Sequence, residues 1–592
     1  MKHLHFVFLI FVFSILPTHA QTSSKKLPKD CNALLARQLV EQQADQSKSV
    51  AETDKRVNIL LRVADFLWIA DEETARKYFA EAFQISRERF REKGVETSKS
   101  KEGLLMQQPD YRFAVISAIA KRDAELANRL SESVLKEYDE DAEKDRRNAN
   151  DRETEVEELI SLAAQTAKDS PKLSLTLARR AMLYKLLRRW TYSLYQTASN
   201  NQPLADQIYG ELLNKNADAE VYRLLYLSAY PFGSGRILGV EKYSMGMSVP
   251  AAFSPNRNLQ RQFITILLRR VMRLTPESTT VSLQNVPETA VAVMGLSDLE
   301  PIIAQQFPDL AQTFSQAKIH ADSIVEGSAL ASAKDGNEAN KKFNKSFDEN
   351  LAEVEKANGV GKLGDGQIFQ LVNSAKTDEN YKKAESWLDK ISDEITRTGT
   401  TNFFYFNRSK LATEEKRLED ARKYALKVPK IEHRAVLFFD IAEAKLKEPL
   451  TKSESLDTLL EVLQTAQKSP DTVEKAQVLL GTAFMYEKVD HFAALGVLAE
   501  AIKTANKLDN PNLFAGYVLQ VVKGKLFSHY SSYEVPGFDI NRTFYELSKN
   551  DFQNSLTYAT DFSDGYLRTL AVLAVVKDCE KNAKPIKSKS VK

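Results

Sequence analysis

Two cysteines in 592 residues, Cys31 and Cys579, exclude a disulfide-stapled scaffold and a cysteine-rich metal domain, so the fold must rest on packing. Histidine is nearly as scarce. Beyond residue 20 only His320, His433, His491 and His529 remain, and no two share a helical ligand spacing. Charge of one sign is missing too: 82 Lys and Arg face 80 Asp and Glu, for a formal net charge of +2. That balance argues against a dedicated nucleic-acid binder, whose footprint is clustered positive charge. Past residue 20 no apolar run approaches the roughly 20 residues that a membrane-spanning helix needs. No Gly-x-Ser-x-Gly elbow occurs, and no glycine loop ends in Gly-Lys-Ser/Thr. Runs of alternating β-branched residues are also lacking, with "STTVSLQNV" (278–286) the one short exception, which points to an all-α chain.

What is present begins with a leader. In "MKHLHFVFLIFVFSILPTHA" Lys2 is the only charge, an apolar stretch runs from Phe6 to Leu16, and Thr18-His19-Ala20 closes on a small residue. This is the order of a secretory signal, cut before Gln21, with an apolar core too short to anchor the chain in a bilayer. The expectation is an exported protein, periplasmic or extracellular and soluble after cleavage. Such a compartment permits a disulfide between Cys31 and Cys579, though two separate thiols are equally compatible with the sequence. A bridge needs Cα atoms within about 7 Å, so a bridged chain must bring its ends together, whereas an unbridged one is free to extend.

Internal repetition dominates the rest. In "RVNILLRVA", Leu60, Val63 and Ala64 follow Arg56 at the spacing of one helix face. The frame recurs from Arg112, Arg434, Lys475 and Arg568. Second helices with small and aromatic residues follow polar turns, as in "EETARKYFAEAF", "EDARKYAL" and "HFAALGVLAEAI". This pattern resembles the tetratricopeptide and related α/α-repeat class over residues 53–230 and 366–582. The resemblance implies an α-solenoid of antiparallel helix pairs and a scaffold that binds proteins or peptides.

Composition divides the chain further. Residues 1–20 are the signal peptide, and 21–229 an N-terminal helical arm. An irregular segment with helices spans 230–325 and begins in a Pro- and Gly-rich stretch. Residues 326–365 form a polar, glycine-bearing linker, 366–582 a C-terminal helical arm and 583–592 a basic tail. Residues 138–158, dense in mixed charge, read as a solvated helix or a joint.

Candidate chemistry is thin. Gly359, Gly361 and Gly364 form Gly-x-Gly-x-x-Gly, but they follow a helical segment rather than a strand and read as a helix stop. "DGNEAN" (335–340) has Asn340 where a calcium loop needs glycine. Arg179, Arg180, Arg188 and Arg189 beside Trp190 and Tyr192 suit either an anionic surface or arginines snorkelling off a buried stripe, and the balanced charge favours the second. The stretch "YPFGSGRILGVEKYSMGMSVP" (230–250) is too long for a repeat turn and too apolar for a tether. It is expected to pack back on the helices, with Phe232, Arg236 and Tyr243 as the partner-contact candidates. No catalytic, cofactor-binding or metal-binding residue stands out. The functional expectation is a non-enzymatic exported scaffold for a protein or peptide, with no nucleic acid and no integral membrane segment. The alternative is an envelope enzyme or a polysaccharide- or hydrophobic-ligand-binding protein with a dispersed site.

Overall fold

The computed structural model describes residues 31–94, 97–99, 105–107, 110–144, 149–239, 248–276, 287–327, 330–331, 345–525 and 527–579, without the side chains of 97–107, 138–152 and 154–155. The first half carries α1 (Ala33–Ser47), α2 (Thr53–Leu67), α3 (Glu72–Lys93), a small hairpin of β1 (Thr97–Lys99) and β2 (Leu105–Gln107), α4 (Tyr111–Ala120), α5 (Ala124–Lys144), α6 (Ala149–Thr166), α7 (Pro171–Ala181) and α8 (Arg189–Lys215). Shorter and more irregular packing follows in α9 (Val221–Tyr226), α10 (Ala229–Phe232), α11 (Arg257–Val271), α12 (Glu288–Gln306) and α13 (Ala311–Ile324). The second half carries α14 (Phe347–Gly359), α15 (Asp365–Ser374), α16 (Asp378–Glu385), α17 (Glu394–Glu414), α18 (Leu418–Ala425), α19 (Ile431–Lys447), α20 (Glu454–Gln467), α21 (Val473–Tyr486) and α22 (His491–Ala505). It ends with a hairpin of β3 (Tyr517–Lys523) and β4 (Ser528–Glu534), then α23 (Ile540–Ser548), α24 (Phe552–Thr560) and α25 (Gly565–Val576).

The described chain is therefore mostly helical, and its helices pack in a regular way. Sequence neighbours pair, as in α2 with α3, α4 with α5, α19 with α20 and α21 with α22. Every second helix also packs on the next: α15 on α17, then α19, α21, α23 and α25, and separately α2 on α4, α6 and α8. The repeated sequence frame falls on members of this second series, namely α2, α4, α19, α21 and α25. Its eighth position is the buried small residue that lets the neighbouring backbone approach: Ala64, Ala120, Ala442 and Ala483, with Val576 in the last copy.

The cation that opens each frame has a structural task. Arg434, Lys475 and Arg568, and likewise Arg397 in the first turn of α17, each donate to the carbonyl oxygen six residues earlier, on Val428, Ser469, Phe562 and Ile391, at 2.9, 3.0, 3.3 and 3.3 Å. Each bond ties the turn entering a helix to that helix's first turn, and a charge-assisted bond of this kind contributes about 1.5–3 kcal/mol. In the first half the same position pairs with carboxylates. Arg56 meets Glu81, and the buried Arg112 holds Asp110 and Glu137 while lying over the Phe90 ring.

The two series meet at the ends of the chain. The last helix, α25, packs on both α1 and α2. At this seam the buried Thr569 hydroxyl donates to Gln43 Oε1 at 3.0 Å and the Tyr566 hydroxyl to Asn58 Oδ1 at 3.2 Å. One apolar core runs through it, from Val40 and Ala44 to Leu570 and Leu573. Cys31 and Cys579 are joined as a disulfide with Cα atoms 5.1 Å apart, although 548 positions separate them in sequence. The bridged alternative is thus the one present, but its geometry differs from the expected meeting of two array tips. In packing order α25 precedes α1, so the described ends, Cys31 and Cys579, lie within the helix stack, and α13 and α14 flank the segment joining the halves.

The seam reproduces an ordinary helix pair. α2 passes to α3 through residues 68–71 and α21 to α22 through 487–490, with Asp71 and Asp490 capping the second helix. From α25 the path is Lys577, Asp578, Cys579, then across the disulfide to Cys31 and Asn32, which caps α1 at Leu35 N. The S–S bond stands where other pairs have a peptide turn. Closing a loop this long contributes about 6 kcal/mol in the chain-entropy account.

The mostly helical chain accords with the all-α expectation, with one addition. Strand is not negligible, because β3 and β4 interrupt the C-terminal helices: Val518, Gln520 and Val522 point inward, and β3 packs on α17. Of the two readings of residues 138–158, a solvated helix and a joint, the described flanks show helix, α5 running to Lys144 and α6 starting at Ala149. The short exception at 278–286 lies outside the described residues. Among the described residues no helix is long and apolar enough to cross a membrane.

His433 locks the hairpin region to the helices. It is buried on α19, its Nδ1 2.9 Å from Asn402 Nδ2 on α17, and its ring lies against Phe406, which stacks near Tyr533 of β4. Burial pushes its pKa from the ordinary 6.5 down to about 4, with the nearby Lys430 charge acting in the same direction.

Two outcomes follow from this architecture. A permuted chain that begins near residue 346, ends near 325 and replaces the disulfide with a peptide turn from 578 to 32 will fold to the same helical content. Circular dichroism and a denaturant melt check this, and an unfolded permutant would refute the seam. For His433, the unfolded chain takes up its proton first as pH falls, so about 3 kcal/mol of stability is lost between about pH 6.5 and 4. The gap in unfolding free energy between wild type and His433→Gln will shrink by that amount over the same window.

Candidate functional site

The halves enclose a cleft of about 660 Å³ at the seam. α2 supplies Arg62, Asp65 and Phe66; the turn after it supplies Ile69; and Arg122 follows α4. The far wall is Asp539, Asn541, Arg542, Tyr545 and Glu546 at α23, with Leu573, Ala574, Lys577 and Asp578 at the end of α25. Ile69, 81 % exposed at the rim, and the half-buried Phe66 give an apolar strip beside Leu573 and Ala574.

The cleft's carboxylates are committed. Asp65 accepts from Arg122 Nε at 2.8 Å, and Asp539 caps α23 by accepting from the Asn541 backbone and side-chain N–H groups at 2.9 and 2.7 Å. Glu546 accepts from Lys549 at 2.8 Å, and Asp578 from the Tyr545 hydroxyl at 2.7 Å. That last bond, together with burial, raises the Tyr545 pKa to about 12, so the phenol stays protonated and acts as a donor. Three of the four cations lack such a match among the described residues. Arg62 donates to two amide oxygens, Asn58 at 2.8 Å and Asn541 at 3.0 Å. The Lys577 ammonium lies 4.8 Å from the Tyr545 ring centre, and the exposed Arg542 has no side-chain hydrogen bond or ion pair among the described residues.

Arg542 and Asp539 also line a smaller cavity shared with Tyr517, Ser532 and Glu534 of the hairpin. The hairpin's outer face therefore continues the cleft. It presents Tyr517, Leu519 and Val521 on β3 opposite Glu534, Ser532 and Tyr530 on β4.

A second cavity of about 540 Å³ lies between α14 and α15, with Gly364 in its wall. Its carboxylates are satisfied, Asp365 by Ser392 and the Asp393 N–H, and Glu353 by Lys345. Gly359 ends α14 and Gly364 starts α15, so the glycine motif joins two helices. Among the described residues no three His, Cys, Asp or Glu side chains gather as a metal site.

The residues singled out from sequence do not converge on the cleft. Phe232 is half-buried at the end of α10 with its ring edge-on to Phe263, Arg236 is exposed, and Tyr243 lies outside the described residues. Up to Gly239 the stretch does pack back. Tyr230 is buried against Tyr209, Tyr195 and Phe253, its hydroxyl donates to Asp206 at 2.7 Å, and Gly239 N–H donates to Asp298 at 2.8 Å. Of the basic–aromatic segment, Trp190 is 2 % exposed and Arg179 pairs with Glu211, as snorkelling arginines on a buried stripe require. The cleft itself was missed because its walls come from opposite ends of the sequence. No protein-family model matches the chain, and no curated protein matches it.

Gly239 sets how close the stretch comes to α12. Its φ is +67°, and an added Cβ would sit 2.8 Å from the Gly295 backbone. Gly239→Ala will cost about 2–4 kcal/mol in a urea melt, and more than Gly295→Ala, whose Cβ meets only the Leu225 side chain.

Proposed function

We propose that this chain is an exported α-solenoid scaffold that binds an extended segment of another protein along the face carried by the alternating helices, without catalysis of its own. The observation that carries the reading is the seam cleft, where the exposed Ile69 and the half-buried Phe66 adjoin cations that pair with no carboxylate among the described residues. Alternate-helix packing supports the solenoid, since it repeats one surface from unit to unit and so offers a continuous track rather than a single pocket. Partner binding also suits side chains such as Ile69 and Arg542, which gain contacts only when something covers them. The disulfide accords with an oxidising compartment, and the leader in the sequence accords with export.

A polysaccharide ligand is the second reading. It is favoured by Tyr517, 49 % exposed, and Tyr530, 38 % exposed, on one face of the hairpin. Sugar rings stack on such faces, whereas most other aromatics of the described chain are spent in cores.

A photo-crosslinking residue at Ile69, compared with one at Lys77 on α3 outside the cleft, separates these readings in the native compartment. A discrete protein adduct from position 69 alone is expected. Adducts from both positions alike, or from neither, would sink the scaffold reading.

A further inference from the structure

Resting on the scaffold reading, we infer that the seam cleft is a site for an acidic, extended peptide segment, and that it is complete only while the Cys31–Cys579 closure holds. Charge supplies the first half. Asp65, Asp539, Glu546 and Asp578 each have a donor, while Arg62, Arg542 and Lys577 face the same space with no carboxylate partner among the described residues. An incoming carboxylate meets cations without displacing an existing ion pair. An incoming cation would find Asp65 and Glu546 already paired with Arg122 and Lys549, and Asp539 and Asp578 already accepting from Asn541 and Tyr545. Arg62 and Arg542 present planar guanidinium donors suited to carboxylates. Ile69, Phe66 and Leu573 lie beside them, so one aliphatic side chain next to the acids completes the match.

Continuity fixes the occupant's shape. The cleft passes through Arg542 and Asp539 to the outer face of the β3–β4 hairpin, an elongated path rather than a closed pocket. A chain in extended conformation follows such a path, with alternate side chains toward the surface.

The split origin of the walls supplies the second half. Arg62, Phe66, Ile69 and Arg122 belong to the first half of the chain, while Arg542, Tyr545, Leu573 and Lys577 belong to the second. Among the described residues one hydrogen bond, Arg62 to Asn541, joins the cleft walls directly, and the rest of their alignment comes from α25 on α1 and α2 beneath the disulfide and from Asn510, which bonds Lys55 and Glu52 at the start of α2. Loss of the closure leaves each wall intact and the pair of walls unaligned. Each wall carries part of the set, Arg62 with Phe66 and Ile69 on one and Arg542 and Lys577 with Leu573 on the other, so only the aligned pair presents all of it.

The probe is a fluorescein-labelled peptide, Glu-Leu-Asp-Glu-Leu-Asp-Glu, with a twin in which Gln and Asn replace the acids. Fluorescence polarisation against the mature, disulfide-bonded protein will show the acidic peptide bound at least about tenfold more tightly than its twin. Arg542→Glu will weaken it about tenfold without moving the melting temperature, because the side chain is exposed and has no ion pair among the described residues. Cys31→Ser/Cys579→Ser will weaken it similarly, and a permuted chain with a peptide turn in place of the disulfide will restore it. Equal binding of the two peptides, or an Arg542→Glu variant as tight as wild type, overturns the acidic-segment assignment. So does competition by a neutral polysaccharide, or a self-association that Arg542→Glu abolishes. Unchanged affinity in the double serine variant overturns the closure requirement. Cross-links from residue 69 without any peptide preference would remove this inference and leave the scaffold standing, whereas loss of both results removes both.

Discussion

The buried hydrogen bond from Thr569 to Gln43, with the apolar side chains packed around it, holds the last helix of the chain against the first two. Without that contact the molecule is two shorter stacks, each with an unfinished helix face. With it, the packing order runs unbroken from α15 through α25, across to α1 and α2, and on through α8. The disulfide is the covalent expression of the same contact, placed where any other pair would have a few residues of turn. The cleft, the hairpin's position beside it and the shared core all presuppose this one docking event.

The helices themselves were legible because a packed helix must place apolar residues at i+4, i+7 and i+8 from a fixed start, and that frame survives in α2, α4, α19, α21 and α25. The cation at its head was visible too, but its partner was not. A carbonyl six residues back leaves no trace in side-chain identity. The hairpin escaped notice for a different reason. "YVLQVVK" is a short apolar run that fits a helix as well as a strand, and "SHYSSYE" alternates only between polar and aromatic residues. Pairing, rather than propensity, makes them strands.

The seam had a signature that was there to be read. Among the described residues "RTLAVLAVV" is a frame with no second helix after it, and "ALLARQLVEQQADQS" is a helix with no frame before it. One orphan at each end is what a repeat divided between the termini leaves behind. The cleft could not be found this way, since which charges remain unmatched depends on neighbours such as Asn541 and Lys549 that only the fold brings close. In the stretch after Tyr230, apolar content did foretell packing, and Gly239 shows the cause: a positive φ and a backbone neighbour with no room for a side chain.

A divided unit also orders events in time. A chain is made from its N-terminus, so α1 emerges first and α25 nearly last. α2 covers part of α1 at once, but the flank of α1 that meets α25 stays open until Leu570 and Thr569 are made. The earliest helix is the last to be finished. A truncated or stalled product cannot hide this, because it keeps an open apolar flank and an unpaired Cys31 for as long as it lacks its end. Closure of this seam therefore waits on the synthesis of α25, and until then the α1 flank and the Cys31 thiol lie open side by side.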